Sequence, residues 1–154
     1  MQKFSWILNI ILVLIIAIIL YVFVIKGSVT PTEDGRSAIH ITLDERTKIL
    51  GDMRKFLEHV QAMVEAIGDE DMAKFSTAAS GVGLIQEPAP PVALTAKLPL
   101  EFKTMGLETH KAFDELAALA DSGASYQALA SELSVIMSNC TYCHRSYRLE
   151  IDEE

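Results

Sequence analysis

Cysteine is scarce in this chain, with two among 154 residues. Both stand close together near the C-terminus, so no thiol is left for a disulfide elsewhere or for a second cysteine-built metal site. A Gly-rich phosphate loop is missing, and so is any βαβ alternation, which leaves no nucleotide-binding fold to argue for. Strand patterns and internal repeats are not visible either. Positive charge is in deficit: 13 Lys and Arg against 21 Asp and Glu give a net charge of −8. An acidic surface of this kind disfavours nucleic acid and anionic lipid, and it suits steering toward a basic patch on a protein partner. Carboxylates do not cluster around the cysteines, and neither a general base nor an activated nucleophile is recognisable. The chain does not read as an enzyme.

What is present is Cys140-Thr141-Tyr142-Cys143-His144. C-x-x-C-H reads as a c-type haem attachment site for a chemical reason. Two thiols add across the vinyl groups of a haem, and the two-residue spacer holds them at the vinyl separation. The adjoining histidine then lies under the iron, where imidazole is a well-suited donor. Other readings of the cysteines fit less well. A thioredoxin-like dithiol is expected beside a βαβ pattern and at a helix N-terminus, whereas the sequence upstream here is helical. A structural zinc site needs four ligands, and this motif cannot close a tetrahedron without distant help. The expectation is one covalent haem c on Cys140 and Cys143, with His144 as proximal iron ligand.

The other conspicuous feature is an apolar run from Phe4 to Ile25, broken only by Ser5 and Asn9 and flanked by Lys3 and Lys26. Its 22 residues, at about 1.5 Å rise each, match a hydrocarbon layer of about 30 Å. No small-residue cleavage pattern follows it, unlike a removed signal peptide. Residues 1–26 therefore read as an uncleaved transmembrane signal-anchor, with residues 4–25 in the lipid bilayer. Covalent haem attachment is chemistry of the bacterial periplasm. The expected place is the bacterial inner membrane, single-pass, with the haem domain in the periplasm; the flanking charges agree weakly.

Residues 27–41 read as a polar linker with Pro31 and Gly35. Beyond it four helices are expected. Thr42-Leu43-Asp44-Glu45 is a capping box opening a helix to about Ile67. Asp69 or Asp71 caps a shorter one through Met72, Phe75 and Ala79. Glu87-Pro88-Ala89-Pro90-Pro91 cannot be helical. Pro99 opens a third helix through Phe102, Met105, Phe113 and Leu116, and Ser125 caps a fourth that runs into the cysteine motif. On that last helix Tyr126, Leu129, Leu133, Ile136, Cys140, Cys143 and Tyr147 recur at alternating three and four residues, which places both thiols on the buried stripe. The inward stripe of the first helix holds Ile49, Leu50, Met53, Phe56, Leu57, Val60, Met63, Val64 and Ile67. Met53 lies near the middle of that arc and Arg46 within it. The fold class is thus all-α: an antiparallel four-helix bundle over residues 42–154 with covalently bound haem, preceded by one N-terminal transmembrane helix.

These residues resemble a family, the class II cytochromes c of the cytochrome c-prime type. Cys140 to Arg148 is similar to the family's C-x-x-C-H-x-x-Y-R, and Arg46 with Leu50 one turn later is similar to its first-helix pattern. The similarity covers about residues 42 to 149. It implies a four-helix bundle with the haem motif near the end of the last helix, an arginine (Arg46) near the haem propionates, and an apolar or Met residue over the open iron face. The membrane anchor departs from the usual soluble, secreted member.

Around the haem, Arg46 on an apolar stripe needs an anionic partner, and a propionate would serve. Arg148 or Arg145 is a further candidate for a propionate, although basic residues also suit a helix C-terminus. Met53 as distal ligand gives a six-coordinate iron and a raised potential; Leu50 over the iron leaves it five-coordinate. Tyr147 packs against the ring or fills the core. His59 and His110 read as rim histidines, and His40 is assigned nothing. The function expected is a membrane-anchored monohaem carrier of electrons on the periplasmic side, its partners membrane or periplasmic redox proteins with a basic docking patch. Tethering raises its effective concentration near them. The alternatives are a five-coordinate haem protein binding NO or CO, and a haem subunit of a larger membrane oxidoreductase. No nucleic-acid partner is expected, and a homodimer is left open.

Overall fold

The computed structural model describes residues 2–85 and 90–152. The described residues are mostly helical and form six helices, one of them an apolar helix at the N-terminus. Helix α1, Gln2–Leu20, continues into a wider π-wound turn, Tyr21–Lys26. The 21 residues Trp6–Lys26 have a mean hydropathy of 3.3, and none of that stretch is buried inside the protein. Long and apolar enough to cross a membrane, it shows Ile, Leu and Val on every side, the pattern of a lipid-facing helix.

The junction after this helix is fixed. The Gly27 N–H donates to the Val22 carbonyl at 3.0 Å, the Ser28 N–H to the Lys97 carbonyl at 2.7 Å, and Lys103 Nζ to the Val24 carbonyl at 2.8 Å. Gly27 is buried and has φ +66. A Cβ there would collide with the carbonyl oxygen of Lys97 and lie 2.7 Å from both the Leu98 carbonyl carbon and the Pro99 nitrogen. Only glycine fits so close a backbone approach.

Residues 27–41, expected as a free polar linker, are instead part of a three-stranded sheet. Strands β1, Val29–Pro31, and β2, Ser37–Ile41, pair antiparallel, with Val29 opposite Ile39. Gly35, at φ +84, turns the chain between them. Strand β3, Tyr147–Ile151, pairs parallel to β2 with Ser37 opposite Tyr147. Two causes explain the departure. Ala38, Ile39 and Ile41 are fully buried, and the partner of β2 arrives from the far end of the chain. The last helix is correspondingly shorter than the periodicity implied, because Tyr147 turns extended (φ −129, ψ 153) and begins β3.

The helix starts are chemically explicit. Helix α2, Leu43–Gly68, carries the capping box: the Glu45 N–H donates to Thr42 Oγ1 at 3.3 Å, and the Thr42 N–H donates to Glu45 Oε2 at 2.8 Å. Thr42→Ala should cost about 1 kcal/mol, read as a lower denaturant midpoint at unchanged slope. Asp71 caps α3, Met72–Ser80, by accepting from the Lys74 N–H at 2.9 Å. A short α4, Val92–Lys97, follows Pro91. Of the expected non-helical stretch 87–91, residues 87–89 lie outside the described residues, while Pro90 and Pro91 are non-helical. Pro99 precedes α5, Leu100–Asp121, and Ser125 caps α6, Tyr126–Ser146.

Helix α3 packs against both α2 and α5, and α5 packs against α6. Their shared core holds Met63 and Ala66, Phe75 and Ala79, Phe113 and Leu116, and Leu129, Leu133 and Ile136. Burying each of the larger side chains contributes about 1.5–3 kcal/mol. Leu57 and Val64, placed on the inward stripe by periodicity, are 70% and 55% exposed. The buried face of α2 is rotated toward Met63 and Ala66, because α3 folds back on that side. A second cluster of Ile39, Ile41, Leu94 and Leu98, joined by Phe102, Tyr147 and Leu149, fastens the sheet to α4 and the start of α5.

Candidate functional site

The site grows from the end of α6. Leu129, Leu133 and Ile136 bury one stripe of that helix, and the same spacing carries on to Cys140 and Cys143, both half-buried free thiols. Burial pushes the Cys140 thiol upward. It pushes Cys143 to about 11, with the neighbouring Cys140 adding to the shift. Both are protonated at neutral pH, and the negative end of the helix dipole is near them. This is the opposite of a reactive dithiol, which lowers a thiol pKa at a helix N-terminus. His144 and Arg145, the basic residues of the last turn, are exposed.

Cys143 and His144 open on a cleft of about 190 Å³. Its far wall is α2, which contributes Arg46, Leu50 and Met53; Arg36, Phe102, Tyr147, Arg148 and Leu149 complete the lining. The structure therefore brings together on one cleft Cys143, His144, Arg46, Leu50, Met53 and Arg148. Cys140 is not among the residues lining it.

The arginines differ in their partners. Arg36 is held by Asp34 through Nε at 2.9 Å and Nη2 at 2.6 Å; this pairing, with Thr32, holds the Asp34 carboxyl well below the usual carboxylate range. Arg148 reaches Glu150 at 3.0 Å and Asp34 at 3.6 Å. Arg46 is half-buried, and its guanidinium meets no carboxylate among the described residues. The histidines outside the motif are tied elsewhere. His59 Nδ1 donates to the Ala78 carbonyl and His110 Nδ1 to the Val82 carbonyl, each at 2.8 Å, while His40 lies 2.7 Å from Thr30 Oγ1 and 3.2 Å from Asp152.

Among the described residues no three His, Cys, Asp or Glu side chains converge in a set that could hold a metal ion. A larger open groove of about 640 Å³ lies between Ile25 and α5, but it contains neither thiol nor histidine. Of these two clefts, the smaller is the one that gathers a thiol and an imidazole.

Several contributors carried no sequence signal. Glu101, in the first turn of α5, accepts hydrogen bonds from Tyr142 Oη and Tyr147 Oη, both at 2.8 Å. Those two bonds hold its carboxyl below the ordinary range. Burial, and then Glu101, push the Tyr147 hydroxyl up. The Tyr147 ring meets Phe102 edge-on at 5.4 Å between centroids. One residue before the first cysteine, Asn139 Nδ2 donates to Thr109 Oγ1 at 3.1 Å. These partners lie tens of residues apart, so no local pattern announces them.

Comparison with known proteins finds no relative: no family model, no curated protein and no solved structure matches this chain.

Proposed function

We propose that this chain is a membrane-anchored, single-haem c-type cytochrome of the cytochrome c-prime kind, which carries electrons on the periplasmic side. The observation that carries the reading is the cleft itself. Residues selected from two distant parts of the sequence, Arg46, Leu50 and Met53 on α2 and Cys143 and His144 on α6, face one space. In this reading α2, α3, α5 and α6 make the antiparallel four-helix bundle of that family, and α1 is the signal-anchor in the bacterial inner membrane.

The residues present suit a covalent haem. Two neutral, unpaired thiols are free to become thioethers, and His144 beside them supplies the imidazole. The guanidinium of Arg46, half-buried without a carboxylate, suits a propionate. Arg148, already beside Glu150 and Asp34, suits it less. The cleft is smaller than the roughly 300–1,000 Å³ of typical ligand pockets. Beyond it, the flank of α2 carrying Leu50, Met53 and the exposed Leu57 offers apolar surface to the rest of a macrocycle. A haem bound here supplies reversible one-electron exchange at iron. The chain's own part is to hold it by Cys140 and Cys143, ligate it through His144, neutralise a propionate with Arg46, and exclude water with Leu50, Met53, Phe102 and Leu149. The net charge of −8 favours redox partners with a basic docking patch.

The deciding experiment is an absorption spectrum of the oxidised and reduced full-length protein, made in a host competent to attach haem c. Sharp c-type bands in the reduced form are expected. A colourless product with two titratable thiols would overturn the reading. Leu50 lines the same cleft as Met53, which supports a second version in which the iron is five-coordinate and binds NO or CO. Met53→Ala separates the two. Loss of the near-infrared sulfur-to-iron band and a change of spin state are expected if Met53 is the distal ligand, and an unchanged spectrum assigns that face to Leu50.

A further inference from the structure

The end of α6 is tied to α5 at three places, and two of the ties meet on a single carboxylate. Tyr142 sits inside the C-x-x-C spacer and Tyr147 lies three residues beyond His144. Both hydroxyls donate to Glu101, one to each oxygen, at 2.8 Å. The third tie is Asn139 on Thr109, whose own hydroxyl donates to the Met105 carbonyl at 2.7 Å. Glu101 is placed by its helix start. It is two residues past Pro99, whose nitrogen lies against the close backbone approach of Gly27 at the end of the anchor. Bonds from a neutral donor to an ionised carboxylate are stronger than those between neutral groups. Here they bracket the whole Cys143-His144-Arg145-Ser146 segment.

We propose that Glu101 is a positioning residue for the attachment segment, gripping Tyr142 and Tyr147 so that Cys143 and His144 keep a fixed pose on α5 and toward the anchor. The proposal rests on the haem reading for its functional meaning, and its geometry stands without it. No other carboxylate reaches either tyrosine among the hydrogen bonds of the described residues. Tyr147 alone also has Phe102 against its ring, so that packing locates Tyr147 while Glu101 adds Tyr142 to the same fixed unit.

The test compares Glu101→Ala, Glu101→Gln and the double variant Tyr142→Phe with Tyr147→Phe, all as full-length protein in detergent. Backbone hydrogen exchange over residues 141–149 reads the grip. It should quicken by about tenfold in Glu101→Ala and in the double variant, and by less in Glu101→Gln, which keeps one acceptor oxygen. The reduction potential of the haem-loaded protein reads the pose. The double variant retains the Glu101 charge, so a shifted potential there reports displacement of the segment and not loss of a nearby charge. Unaltered exchange in Glu101→Ala overturns the grip. Quickened exchange with an unmoved potential in the double variant overturns its role in posing the haem. If the protein carries no haem, the exchange arm still decides the grip while the cofactor reading fails.

Discussion

Replacing Cys140 and Cys143 together by alanine should leave no haem attached after denaturation. Each single replacement should leave at most one thioether, with weakened retention or stalled maturation. The fold should survive, because both side chains are only half-buried, and trimming a small side chain at such a site costs about 1 kcal/mol. Helical circular dichroism in each variant is therefore the control, and haem-linked peroxidase staining on a denaturing gel is the measurement. Undiminished covalent haem in both single variants would mean that the attachment site lies elsewhere. The outcome also separates the proposed haem from a metal chelate: thiolate ligands lost from a chelate would release the ion, whereas under the haem proposal His144 would still be there to bind iron and only the covalent hold would go.

Gly27→Ala is expected to destabilise this protein strongly, because the added methyl group meets main chain on its open side. At φ +66 and ψ −166 the backbone sits in a region that essentially only glycine occupies. The new Cβ would press on the Lys97–Pro99 main chain, which has no flexible end to swing aside. Conformational strain alone costs on the order of 1–3 kcal/mol, and the overlap adds to it, so a loss of about 3 kcal/mol or more is expected in denaturant melts of the full chain. Proteolysis around residues 27–31 should accelerate as the Ser28 to Lys97 hydrogen bond opens. Gly35→Ala is the matched control. Its φ is also positive, at +84, yet a Cβ there meets nothing within 4 Å, so about 1 kcal/mol is expected. Equal costs at the two glycines would show that the anchor junction is not closely packed.

How much of this was legible beforehand depends on the range of the signal. Caps act within three residues: Thr42 and Ser125 stand where the sequence placed them, and of the two candidates Asp69 and Asp71 it is Asp71 that caps α3. The stripe Leu129, Leu133, Ile136 is equally local and is buried as its period implied. The stripe on α2 was read too broadly. Apolarity put Leu57 and Val64 inside, but which part of an apolar arc is covered depends on where α3 returns, and that is a tertiary choice. The sheet was missed for two separate reasons. Asp34-Gly35 between Val29–Pro31 and Ser37–Ile41 is a hairpin signature in its own right, set in a stretch whose polar composition reads as a linker. The pairing of β2 with β3 had no signature at all, since its two halves lie at opposite ends of the chain that follows α1. At the cleft, the helical faces that bring Cys143 and His144 opposite Arg46, Leu50 and Met53 were readable. The grip of Glu101 on two tyrosines was not, because hydrogen bonds across the fold leave no period in a sequence.

The parallel pairing of β2 with β3 also bears on the order of events as the chain folds. Contacts that close so large a loop form late, after the local helices are in place. On that ordering the β2 partner of Tyr147 arrives late, and until then the end of α6 is held only by its contacts with α5, through Glu101, Phe102 and Thr109. During that interval both sulfhydryls should be more open to reagents than in the finished fold, where they are half-buried. Pulsed thiol labelling during refolding should accordingly find Cys140 and Cys143 protected later than the amides of α2 and α5.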